Sequence, residues 1–169
     1  MKVLLSCVNS VVSLIGFDLD KKQAFWYSPA DRVRCCGATY DQGRGALLLT
    51  HENAVTRIQA SGQIEQFPLP GPHRNLVHSI HCVGEDNIGV ADTGNSRLLI
   101  YGSDFKNAIS YSPVEGWENI PEDALHLNDF AVTPIGIVAS CFHYQPFRKT
   151  IDRHNFAWRE RGYGLILSL

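Results

Sequence analysis

Short apolar runs separated by turn residues cover the chain from end to end, and hardly any of them carries a helical period. The clearest stretch is His78–Tyr101. It reads as a strand over His78–Val83, a turn at Gly84–Asn87, a strand over Ile88–Asp92, a tight turn at Thr93-Gly94-Asn95 and a third strand over Arg97–Tyr101. Each run is rich in Val, Ile and Leu and is bounded by Gly, Asn or Asp, residues that tolerate turn geometry. Three such strands form a meander, which is too small to be stable alone and needs a second sheet against its face.

The pattern repeats. Asp92–Asn95 follows one apolar strand and precedes another. So does Thr50–Asn53, 42 positions earlier, between Ala46–Leu49 and Ala54–Ile58. A further 44 back, Ser6–Asn9 lies between Val3–Leu5 and Val11–Ile15, and 48 forward Ser140–His143 follows Ile135–Ala139. A first strand for each unit recurs at Gly37–Asp41, Ser79–Val83 and Asn128–Val132. Fourth strands fall at Ala24–Tyr27, Gln63–Leu69 and Ala108–Tyr111. Repeats of roughly 42 to 48 residues lie in the range of propeller blades. Sheets with apolar residues on both faces need a neighbour on each side, and a ring of sheets supplies it.

The expected fold is therefore an all-β propeller of four-stranded antiparallel blades. About three and a half blades are present, in units over 1–34, 35–76, 77–125 and 126–169. Because a closed ring has about four to eight blades, the chain reads as part of a larger propeller or as a partial ring completed by a homo-oligomer. Pro and Gly gather between units, at Pro68–Pro72 and at Ser112–Pro121. Pro121–Leu125 is the one place where a helical turn is expected, with Pro121 at its first position.

Val90-Ala-Asp-Thr-Gly-Asn-Ser-Arg-Leu-Leu-Ile100 resembles the repeat of NHL-class propellers, an apolar strand ending in Ala-Asp-x-Gly-Asn-x-Arg followed by another apolar strand. The other units keep the spacing but depart from the motif: Thr50 replaces the Asp, Glu52 the Gly, and Ser140–His143 lacks both Gly and Asn. With the Leu127-Asn-Asp-Phe130 segment, the chain is also similar to a bacterial family of uncharacterised propeller proteins, and more distantly to gluconolactonase-like propellers. The NHL class implies a propeller fold with diverse roles, among them protein-binding modules and metal-dependent lactonases and lyases.

Composition narrows the partners. The 169 residues carry a net charge of −2 with no basic run, so phosphate neutralisation of nucleic acid is not expected. No run reaches the length of a membrane span. Five cysteines, at 7, 35, 36, 82 and 141, show no CxxC spacing, which favours a reduced, cytoplasmic setting over secretion. Cys82 and Cys141 are expected to serve as small hydrophobes within strands. The start of the chain, Met1–Phe17, resembles a weak secretory signal, but polar residues interrupt it and no small-x-small cleavage site follows.

Candidate chemistry lies where first strands begin, because successive blades converge there on the ring axis. His78 and His81 in one unit and His126, Asn128 and Asp129 in the next are candidate ligand-binding residues. His143 joins them from the loop Phe142–Lys149, the least repeat-like segment, with His154 and Trp158 beyond it. Imidazole suits zinc-like metals and oxygens suit calcium, so His78, Asn128 and Asp129 are the candidate ligands of a divalent cation such as Ca or Zn. The bland reading is that they line a water-filled channel and bond to one another. Asp92, Gly94, Asn95 and Arg97 are assigned to the turn: Gly94 at positive φ, the Asp92 and Asn95 side chains on local backbone N–H groups, Arg97 on a carboxylate of a neighbouring unit. Aromatics including Trp26, Tyr27, Phe67, Tyr111 and Trp117 are expected to fill the space between blades. No G-x-S-x-G or phosphate-loop motif occurs. Two functions stay open: a non-catalytic module binding a protein or small polar ligand, or a metal-dependent hydrolase or lyase.

Overall fold

The computed structural model describes residues 2–6, 14–27, 35–51, 53–72, 74–112, 122–141 and 165–168. His143, the Phe142–Lys149 loop, His154, Trp117, Trp158 and Cys7 lie outside them. The described residues form fourteen strands and one 3-10 turn. In order the strands are β1 (Lys2–Ser6), β2 (Leu14–Asp18), β3 (Gln23–Tyr27), β4 (Ala38–Asp41), β5 (Ala46–His51), β6 (Ala54–Gln59) and β7 (Ile64–Pro68). Then follow β8 (Ser79–Val83), β9 (Asn87–Asp92), β10 (Arg97–Gly102), β11 (Ala108–Tyr111), β12 (Leu127–Thr133), β13 (Gly136–Cys141) and β14 (Leu165–Ser168).

Every sheet is an antiparallel meander in chain order: β1-β2-β3, β4-β5-β6-β7, β8-β9-β10-β11 and β12-β13-β14. Apolar alternation sets the register. Val90 pairs with Ile80 and Leu99 on one face of the third sheet, and Ala91 pairs with Ser79 and Leu98 on the other. A one-residue slip would turn both sets to the wrong face.

The second, third and fourth sheets stack face to face, with a core layer between neighbours. Leu48 and Val55 of the second sheet pack with Ile80, Ile88, Val90, Leu99 and Tyr101 of the third. The opposite face of the third sheet places Ala91, Leu98 and Ile100 against Leu127, Phe130 and Ala139 of the fourth. Gly89 is required there, since a Cβ would lie 2.4 Å from the Phe130 ring. The first strands are neighbours in series: β1 beside β4, β4 beside β8 and β8 beside β12.

Side-chain bonds between adjacent sheets span nearly constant sequence separations. Arg44 bridges Asp41 and Asp86, the latter 42 residues away. Arg57 donates to the Ser103 carbonyl, 46 away, at 2.6 Å. His81 and Asp129 are 48 apart, and His78 and Asn128 50 apart. Each value is one repeat, so matching positions of successive sheets touch.

Several local expectations are corrected. Residues 122–125 form turns and bends instead of a helical turn, because Asp123 adopts a left-handed φ of 59° and donates its N–H to the Gly94 carbonyl at 2.8 Å. Cys141 is buried as expected, but Cys82 is exposed although it shares the face of Ile80, because it lies toward the end of β8, where its Sγ donates to the Tyr40 carbonyl at 3.7 Å. Phe67 does fill space between sheets, stacked on Phe105 with ring centroids 4.5 Å apart, whereas Tyr111 is exposed on β11.

Candidate functional site at the start of the inner strands

The turn between β9 and β10 supports the site. Asp92 is fully buried, and its carboxylate accepts from Asn95 Nδ2 at 2.9 Å, Arg97 Nε at 2.9 Å and Asn75 Nδ2 at 3.0 Å. Burial pushes the Asp92 carboxyl up, and these three donors oppose that rise. The partners differ from the sequence reading. Asp92 bonds to side chains, not to local N–H groups, and Arg97 pairs within its own sheet, because Asn75 and Pro70 of the preceding linker close over the turn. Gly94 is not at positive φ; that conformation falls to Ser96, at 51°. Glycine is needed at 94 for clearance, since a Cβ would stand 1.7 Å from the Arg74 carbonyl oxygen. The turn also holds the following linker: Thr93 Oγ1 donates to the Leu127 carbonyl, and Ser96 Oγ accepts the Leu125 N–H at 3.1 Å. Asp92–Arg97 thus ties residues 70–75, ahead of His78, to residues 122–127, ahead of Asn128.

These two linkers set the candidate side chains side by side. His78 Nδ1 lies 3.1 Å from Asn128 Oδ1; with that oxygen accepting, Nδ1 carries the hydrogen and Nε2 keeps a lone pair. Burial is the main cause of a lowered His78 pKa; a nearby His126 adds to the depression, while the Asn128 bond and Asp123 oppose it. The His126 ring meets the His78 ring edge-to-face, centroids 4.9 Å apart, and is held by Asp123, whose carboxylate oxygens lie 3.0 and 3.1 Å from Nδ1. One strand step further, His81 Nε2 lies 2.7 Å from Asp129 Oδ1, with the His81 ring edge-to-face on Phe130 at 5.1 Å. Burial tends to raise the Asp129 carboxyl, but bonds from His81, Ser79 and the Phe130 N–H outweigh it and leave the pKa below the ordinary value.

Five of the six sequence candidates are therefore close together, in two groups: His78, His126 and Asn128, then His81 and Asp129. The division comes from an irregularity in β12, where the register shifts between Leu127 and Asp129. A bulge there re-aims Asn128 toward His78 and Asp129 toward His81. His78 and Asn128 thus fall in one pair and Asp129 in the other, and among the described residues no group of three or more His, Cys, Asp or Glu is placed to hold a metal ion. Asp123 was missed by sequence reading; its signal was the Asp-x-x-His spacing to His126.

Four meander sheets in series, with matching inner strands in contact, define a β-propeller of which about three and a half blades are present. Among solved structures the chain is similar to virginiamycin B lyase from Staphylococcus aureus (TM-score 0.64, 14% identity, covering 99% of this chain and 52% of that one). It is similar also to a streptogramin B lyase (0.65, 12%, 99% and 51%) and to a catalytically inactive virginiamycin B lyase from Staphylococcus aureus with quinupristin (0.65, 13%, 99% and 52%). At these identities the likeness is one of fold, and the chain spans about half the length of those proteins. No protein-family model matches the chain, and no curated protein matches it. No helix among the described residues is long and apolar enough to cross a membrane.

Proposed function

We propose that the chain is a non-catalytic binding module of NHL-like type, which presents the start of its inner strands to a small polar ligand or to polar side chains of a protein partner. The observation that carries this reading is the His78–Asn128 pair beside the His126–Asp123 pair. Side chains 48 to 50 residues apart meet at one end of adjacent inner strands, and each imidazole is anchored through Nδ1. Anchoring through Nδ1 fixes ring orientation and leaves Nε2 as the atom for recognition. The match of Val90–Ile100 to the NHL pattern supports the class, and the buried turn built on Asp92 supports a rigid frame for the site.

The test is imidazole NMR of the purified chain during titration with three probes, citrate, glucose and spermidine. Selective shifts of the His78 and His126 signals, diminished by Asn128→Ala, are expected from at least one probe. No shift from any probe sinks the reading for small ligands. The alternative, a metal-dependent hydrolase or lyase, draws support from the fold shared with the streptogramin lyases. Incubation with quinupristin, followed by mass spectrometry and chromatography, decides it: conversion that is lost on chelation would replace the binding reading with the enzymatic one.

A further inference from the structure

A cleft opens toward the far end of β8 from His78. It lies between the hairpin that joins β4 to β5 and the hairpin that joins β8 to β9, and it encloses about 660 Å³. Tyr40 and Asp41, His81 and Cys82, and Glu85 and Asp86 line it from the two sides. Small-molecule sites span about 300 to 1,000 Å³, so the volume is that of a binding site. Arg44 ties the two hairpins together, its guanidinium 3.3 Å from the Asp41 carboxylate and 3.2 Å from that of Asp86.

We propose that this cleft is a second binding site, which takes a small aliphatic polyamine. Asp41, Glu85 and Asp86 bring three carboxylates to it, and Arg44 is the cation that meets them, so three negative charges against one positive leave a surplus of two. A ligand with two or more ammonium groups balances that surplus. Three observations apart from the carboxylates point to the same ligand. His81 Nε2 lies 2.7 Å from Asp129 Oδ1; with the carboxylate accepting, the neutral ring keeps Nδ1 as a lone-pair acceptor for an N–H donor. Cys82 already gives its hydrogen to the Tyr40 carbonyl at 3.7 Å, so its thiol has no donor left to offer. Tyr40 is 53% exposed and adds an aromatic ring, whose face attracts a cation and whose body suits a methylene chain. The site uses different residues from His78, His126 and Asn128 and does not rest on the ligand proposed for them.

Amide NMR of the full chain during titration with putrescine tests it. Saturable shifts are expected at residues 40–44 and 81–87, with none there from citrate. The Glu85→Gln/Asp86→Asn double variant changes two exposed side chains, so it should fold as wild type does and bind putrescine about tenfold more weakly. Asp104→Asn removes a carboxylate from the outer hairpin of the same sheet and should leave the affinity unchanged, which separates a site from general charge attraction. Acetyl-lysine amide carries one ammonium group and should bind more weakly than putrescine; equal affinity would overturn the assignment to a polyamine. The absence of saturable shifts at these residues overturns the proposal. So do shifts confined to His78 and His126, shifts that sodium chloride reproduces at the same ionic strength, or a double variant that folds and binds as tightly as wild type.

Discussion

Single side chains around the inner-strand starts carry more of the structure than their exposure suggests. Gly94 sits where the Arg74 carbonyl passes 1.7 Å from the position a Cβ would take. That neighbour is backbone, so Gly94→Ala must move the linker that positions His78. Its unfolding midpoint in urea should fall by the equivalent of about 3 kcal/mol, with the m-value unchanged. Asp92→Ala would leave Arg97, Asn75 and Asn95 facing an empty buried site; removing one partner of a buried charge pair costs about 3 to 5 kcal/mol. His78 governs a pH dependence. Because its folded pKa lies below the ordinary 6.5, the unfolded chain takes up the proton first, and stability present above pH 6.5 is lost as pH falls through the folded pKa. Urea midpoints measured between about pH 8 and pH 5 should decline on the acid side in wild type and decline less in His78→Gln, which keeps a polar side chain but cannot titrate. Equal slopes in the two proteins would contradict this assignment.

At the level of elements, Arg57 shows how one strand locks two sheets. From β6 its guanidinium lies 4.7 Å from the Phe67 ring centroid and 5.5 Å from that of Phe105, pairs with Glu65, and donates to the Ser103 carbonyl of the next sheet. Arg57→Ala should destabilise by about 2 to 3 kcal/mol, and Arg57→Lys should recover only part of that, since an ammonium lacks the planar face and forked donors that let the guanidinium meet the stacked rings, Glu65 and the carbonyl together. Chemical denaturation of the three proteins checks the order. The elements themselves were largely legible in the sequence: β11 occupies Ala108–Tyr111 as the pattern indicates, and β8, β9 and β10 depart by only a residue at their ends. The repeat made that possible, because burial on both faces of each sheet writes the same apolar runs every 42 to 48 residues. The site was legible in composition but not in grouping. Nothing local to Leu127-Asn-Asp-Phe130 announces the register shift that sends Asn128 to one histidine and Asp129 to another. The partner of Asp92 was equally hidden, since Asn75 comes from a linker with no repeat pattern. Gly94 was recognised as necessary for the wrong reason, because clearance from a segment 20 residues earlier in the chain leaves no mark on the turn's own sequence.

For the whole molecule, stability in a series of stacked sheets is approximately a sum of sheet terms and nearest-neighbour interface terms. The second and third sheets are covered on both faces, while the fourth keeps the open face that carries Ile166. Local opening should follow that order, with low-cost opening where an interface is missing. In dilute solution, hydrogen exchange should be slowest at the amides of β5, β9 and β10 and faster in β13 and β14. Amides of β13 and β14 that exchange as slowly as those of β9 would contradict that order.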